Sequence, residues 1–235
     1  MISTMIQTSI QHPLFGLLVT LASYQLAMEL NRRTRSMLAQ PVLIGTLLVV
    51  GVLLLLEVDY ATYNESAALV WLFLGPATVA LAVPLYTHLR RIRDYFWPLL
   101  AALLIGGFTT VLLTLGLAWL LGADEALLAS LAPKSVTSPI AILLAEDLGG
   151  SPALAAVFVM ITGVAGAVMA PGLLKLAGID LPAARGFTLG LNAHAAGTAV
   201  ALEEGEETAA FAALAMSLTG AVTAILLPLF YSLAG

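Results

Sequence analysis

Six stretches of this chain carry no charged residue: 14–28, 38–56, 67–87, 96–121, 152–174 and 208–235. They hold 132 of the 235 residues, so all 23 charges sit in the other 103. A helix needs about 20 apolar residues to cross the hydrocarbon core of a bilayer. A soluble domain of this length needs a polar surface that 9 basic and 14 acidic residues do not supply. Charge is 10% of the composition, against about 25% in an ordinary soluble domain. The pattern excludes a soluble enzyme domain, a nucleic-acid binder and a disordered chain. It describes an all-α polytopic membrane protein, with the lipid bilayer as its first partner.

The net charge of −5 says little about other partners, because four of the acids form one cluster, Glu203, Glu204, Glu206 and Glu207. Cysteine is absent, which excludes disulfides, thiolate metal sites and cysteine nucleophiles. No metal or cofactor is expected. The first 13 residues lack Lys and Arg, and the apolar stretch after them runs into Glu29 and an Arg-rich turn. It reads as a retained first span rather than a cleaved leader.

The loops alternate in charge. Residues 31–35 hold Arg32, Arg33 and Arg35; 57–66 hold only acids; 90–94 hold Arg90, Arg91, Arg93 and one acid; Asp124 and Glu125 open the next. The excess of Arg puts the first and third loops in the cytoplasm, and both termini outside a plasma or inner membrane. His12 and His88 lie beside loops and read as interfacial.

Residues 122–151 and 178–207 are too polar for ordinary spans and too apolar for loops. Each is interrupted, at Pro133-Lys134-Ser135 and at Asn192-Ala193-His194. Backbone that breaks at membrane depth must be buried in protein or line a wet cavity. A shift of 57 residues superposes these regions without a gap, with 11 identities over 135–178 that include Glu146/Glu203, Thr162-Gly163/Thr219-Gly220 and Pro171/Pro228. If each broken region is a re-entrant hairpin, each hairpin-plus-span unit crosses once and adjacent copies are inverted, as in many secondary transporters. This predicts six full transmembrane helices plus two opposed hairpins, divided as a four-span scaffold over 1–121 and repeat units over 122–178 and 179–235. Eight crossings, two of them discontinuous, are the alternative.

After each break a half-helix begins, over about 136–148 and about 195–204. Ser135 reads as the first N-cap, and Asn192 or His194 lies near the second. Helix starts expose unpaired N–H groups and a positive dipole end. Two of them facing each other suit a small anion, such as the carboxylate of a two- or three-carbon acid. Thr137, Ser138 and Thr198 add hydroxyls, and Lys134 adds a charge. Each residue also has a plainer reading. Ser135, Thr137 and Ser138 cap helices elsewhere, His194 packs neutral, and Lys134 snorkels to the interface. Glu146 and Glu203 read as water-exposed helix ends rather than a proton relay. Gly163, Gly166, Gly197 and Gly220 read as close-packing positions. In the third stretch, Gly75-Pro76-Ala77-Thr78 followed by Pro84 reads either as a packing kink or as a third wall exposing Thr78.

Three segments carry a resemblance. Leu74-Gly75-Pro76-Ala77-Thr78 through Tyr86, Ala132-Pro133-Lys134-Ser135-Val136-Thr137-Ser138-Pro139-Ile140-Ala141 and Gly190-Leu191-Asn192-Ala193-His194-Ala195-Ala196-Gly197-Thr198-Ala199 are similar to signatures of the LrgB/CidB family, in that family's order. Asn192-Ala193 departs from the pattern, since many members carry a Thr-Ser or Ser-Ser pair there. The resemblance implies a choice of function. One is a carrier of small monocarboxylates such as glycolate, glycerate or pyruvate, as in the plastid translocators. The other is a holin/antiholin-like protein that modulates murein hydrolase export and autolysis. It also implies a small LrgA/CidA-type membrane partner. The expected assembly is a homo-oligomer, most simply a dimer. An intramembrane enzyme has little support, because H-E-x-x-H and G-x-S-x-G are both absent.

Overall fold

The computed structural model describes residues 10, 12–34 and 39–234. The described residues form helices joined by turns, with no strand among them. Contacts divide the chain into two compact units, Met1–Ala80 and Leu81–Gly235.

The first unit holds α1 (Phe15–Thr34), α2 (Pro41–Leu55), α3 (Tyr60–Ser66) and α4 (Ala68–Ala80). Proline opens α2, where its missing N–H costs nothing. Asp59 caps α3 by accepting from the Thr62 backbone N–H at 2.8 Å. A bend of 120° separates α2 from α3. The turn between them puts Glu57 at φ 52°. Gly16 lets α1 approach α3, for a Cβ there would lie 2.6 Å from the Tyr63 carbonyl. The Ser66 hydroxyl accepts from the Gly16 N–H, and Thr20 pairs with the Tyr63 hydroxyl at 2.8 Å.

The charge-free stretch 67–87 is not one continuous helix. Helix α4 continues through Pro76, and the chain resumes as α5 (Ala82–Thr87) after an interruption at Leu81. Pro84 supplies the reason, because its ring crowds the carbonyl four residues back, at Ala80.

The second unit continues with α6 (Leu89–Asp94), α7 (Phe96–Leu120), α8 (Glu125–Leu131), α9 (Ser138–Asp147), α10 (Pro152–Leu176), α11 (Pro182–Glu204) and α12 (Glu206–Ala234). Among the described residues, α7, α10 and α12 are long and apolar enough to cross a membrane, and the bent α2–α3 pair makes a fourth if counted as one span. Their apolar side chains face outward in number, with Leu120 73% exposed and Ile105 68%. Such surfaces need lipid or protein against them. The core of this unit is small-residue packing. Ala201, Ala212 and Leu189 are fully buried, and Ala167 nearly so. The tightest seam lies between α11 and α12. A Cβ on Gly186 would strike the Thr208 carbonyl, and one on Gly190 the Ala212 carbonyl. Glycine at these positions is what allows the two backbones to touch.

Candidate functional site

The site is built from two broken elements that meet on α10. In the first, α8 ends at Leu131, residues 132–137 form turns, and α9 begins at Ser138. The N-cap is Thr137 (φ −70°, ψ 148°), which corrects the expectation of Ser135. The half-helix is Ser138–Asp147 rather than 136–148, because Pro139 fits the first turn, whereas with Ser135 as N-cap it would stand where the first intrahelical bond needs an N–H. The Thr137 side chain makes no capping bond, so it does not occupy the N–H groups of the first turn. Ser135 instead accepts from the Lys134 ammonium at 3.2 Å. Lys134, Ser135, Thr137 and Ser138 are all half-buried.

At the end of α8, Ser130 ties the element back to the start of α10. Fully buried, it donates to the Ala126 carbonyl and accepts from the Ser151 N–H, both at 2.7 Å. A Cβ on Gly150 would sit 2.7 Å from the Ser130 N. Glu146 is exposed at the end of α9, as its plainer reading expects.

The second element is α11. It reads as one helix of 23 residues, but His194 within it has φ 40° and ψ −124°. That conformation belongs to the first central position of a type II′ turn, where glycine is the usual residue. The chain folds back on itself there. Arg185 Nη2 and Nε meet both carboxylate oxygens of Glu204 at 2.7 and 2.8 Å. In a straight helix, residues 19 positions apart would lie about 28 Å from each other. The Gly197 Cα also comes so near Leu189 that a Cβ there would strike its carbonyl. The open end is closed by Arg185 Nη1, which donates to the Ile179 carbonyl at 3.0 Å. From Arg185 down to His194 is a descent of about 14 Å. That is close to half of a hydrocarbon core of about 30 Å.

Both tips reach the middle of α10. Val136 packs with Ala141 and Val159 in one buried cluster. His194 Nε2 lies 3.0 Å from the Val159 carbonyl oxygen. A carbonyl only accepts, so Nε2 carries the proton and Nδ1 is left as the acceptor. The ring rests on Gly163, where a Cβ would fall 2.6 Å from Cε1 and 2.8 Å from Nε2. Thr198 donates to the His194 carbonyl at 2.9 Å and touches Met216 Sδ at 3.7 Å. Its hydroxyl therefore secures the turn.

The expected residues thus divide. Lys134, Ser135, Thr137, Ser138, His194 and Thr198 gather around two helix starts. Asn192 bonds back to the Thr188 carbonyl of its own helix at 3.0 Å, which is the plain reading of an amide in a helix. Thr78 lies on α4, in the other unit, and its side chain is outside the described residues. Sequence reasoning passed over Val159, Ser130 and the Arg185–Glu204 pair, and read Gly163 as a close-packing position, which it is. The 57-residue shift had matched Gly163 with Gly220, and both prove to be contact points for the opposite tip, since a Cβ on Gly220 would lie 3.0 Å from Ile140. Chemically, unpaired helix-start N–H groups beside an ammonium and hydroxyls suit one small anion. Among the described residues no group of His, Asp or Glu is placed to hold a metal.

Residues 20–233 match the model of the LrgB-like family. The antiholin-like protein LrgB of Bacillus cereus strain B4264 is 31% identical over 224 residues, which are 95% of this chain and 97% of that protein. The proteins of the same name from B. cereus strain AH820 and Bacillus anthracis strain A0248 match to the same extent. No solved structure matches the chain.

Proposed function

The chain belongs to the LrgB-like family, and from that premise we propose that it carries small monocarboxylates of the glycolate, glycerate and pyruvate type across the membrane. The observation that carries this reading is the strained His194 turn, seated against Val159 and Gly163 on the helix that Val136 of the other tip also packs against. Strain and buried polar groups inside a membrane are costly and accompany function. The carboxylate would lie between the α9 start and the arm that begins at Ala195. Lys134 supplies charge, and Ser135, Thr137, Ser138 and Asn192 supply polar contacts. His194 Nδ1 is an acceptor for a hydroxyl, and Thr198 holds the turn.

The architecture in this reading is six full spans and two opposed hairpins in an inverted repeat. Helix bounds support the repeat, though not the count of six spans. Adding 57 carries Thr137 onto His194, α9 onto 195–204, and α10 onto 209–233, within α12. The open ends support it too, for one is tied to the start of α10 at Ser151 and the other lies just past its end at Ile179. The protein then sits in the plasma or inner membrane with both termini outside, as a dimer, beside a small LrgA/CidA-type partner.

A second reading is an antiholin-like membrane protein that modulates murein hydrolase export and autolysis. The names of the relatives speak for it more directly than for transport. Uptake of labelled glycolate, glycerate and pyruvate into vesicles of purified protein, with and without the small partner, separates the two. Saturable, mutually competed uptake lost in His194→Ala supports the carrier. Leakage of sugars and dyes regardless of size sinks it and leaves the antiholin-like role.

A further inference from the structure

Helix α6 is only six residues long and lies directly before α7, one of the helices long enough to cross the membrane. Its three arginines do not share one task. Arg91 turns toward α12 and pairs with Glu207 at 3.0 Å, which anchors α6. Arg90 and Arg93 are three residues apart and so share a face of the helix. Among the described residues neither makes an ion pair. With Tyr86, Thr87, Leu89 and Asp94 they line an open cleft of about 570 Å³. The Thr87 hydroxyl is already committed to the Val83 and Pro84 carbonyls. Large aromatic side chains stand uncovered nearby: Tyr86 is 79% exposed and Trp97 74%. Such rings mark the headgroup level of a bilayer.

We propose that this cleft binds the headgroup of a glycerophospholipid with one net negative charge, of the phosphatidylglycerol kind. Guanidinium groups match phosphate oxygens with paired hydrogen bonds. Arg90 and Arg93 set against Asp94 leave the cleft with one net positive charge, which a singly anionic headgroup neutralises. The hydroxyls of a glycerol headgroup donate to the Asp94 carboxylate, and the acyl chains run down the exposed apolar start of α7. Basic pockets beside membrane helices recognise lipid headgroups by this chemistry. The site is independent of any transport activity at the hairpin tips.

Native mass spectrometry of the purified protein, titrated with phosphatidylglycerol, phosphatidylethanolamine and phosphatidylcholine, tests it. Phosphatidylglycerol is expected to be retained preferentially. The Arg90→Gln/Arg93→Gln variant should lose that preference by roughly 30-fold, the size expected when two arginines near a membrane surface are removed. Arg32→Gln/Arg33→Gln, which removes the same charge elsewhere, should keep it. Arg90→Lys/Arg93→Lys guards against misfolding and should retain part of the preference. Equal retention of phosphatidylcholine, or an equal loss in both glutamine variants, overturns the proposal. So does phosphatidylethanolamine binding as tightly as phosphatidylglycerol and weakening in Asp94→Asn, which would make the cleft a zwitterionic site.

Discussion

The imidazole of His194 occupies the space that a side chain on Gly163 would need. A Cβ at Gly163 would lie 2.6 Å from His194 Cε1, although the two residues are 31 positions apart in the chain. The missing side chain on α10 and the strained turn in α11 form one feature.

Gly163→Ala is therefore expected to push the ring off the Val159 carbonyl. Overpacking of this kind costs about 1–3 kcal/mol. Gly220→Ala meets only the flexible end of Ile140 at 3.0 Å and should be close to neutral. Thermal unfolding of both variants in one detergent checks the contrast, and equal losses would show that His194 is not seated on Gly163.

Position 194 should separate stability from activity. At φ 40° glycine is unstrained and alanine is not. His194→Gly is expected to be more stable than His194→Ala by about 1–2 kcal/mol. Neither variant should take up monocarboxylates. Denaturation midpoints and vesicle uptake, measured side by side, give the answer.

The fold-back of α11 can be trapped. Because the chain has no cysteine, the double change Arg185→Cys/Glu204→Cys places the only two thiols in the protein. These positions face each other through an ion pair of two long side chains at 2.7 Å, so a short bismaleimide carrying a cleavable disulfide should link the two thiols within one chain. In an unbroken helix they would stand about 28 Å apart and would not be linked. A gel-mobility shift reversed by reductant is the readout.

Asp59 gives the first unit a pH dependence. The Thr62 backbone N–H and then its hydroxyl bond to the carboxylate, holding the Asp59 pKa below the ordinary aspartate range. A lowered folded pKa means that the cap is fully stabilising above the unfolded value and is lost as the pH falls through the folded one. Amide protection at Thr62, corrected for intrinsic exchange, should fall on acidification. Asp59→Asn should retain the helix start and abolish that dependence, because asparagine caps without titrating.

Part of the centre was readable from the residues alone. The turns around Pro133 and the half-helix that starts at Ala195 follow from local chemistry, in which Pro and polar residues interrupt an apolar run. The N-cap was misplaced by two residues because Ser135 and Thr137 are both good capping types, and Pro139 decided between them. The split of 67–87 at Leu81 was also missed. Proline within an apolar stretch signals a disturbance without saying whether the helix bends or stops.

By itself the sequence determined that the chain is helical and belongs in a membrane, because charge and apolar length are properties of each segment taken alone. It also marked the two breaks near Pro133 and His194, since turn and cap preferences act over a few residues. Only the tertiary structure decided that His194 rests on Gly163, that Arg185 closes on Glu204, and that Ser130 reaches Ser151. These contacts join residues 19 to 31 positions apart. They depend on how closely two backbones can pack, and a glycine in an alanine-rich helix has no local signature for the partner it admits.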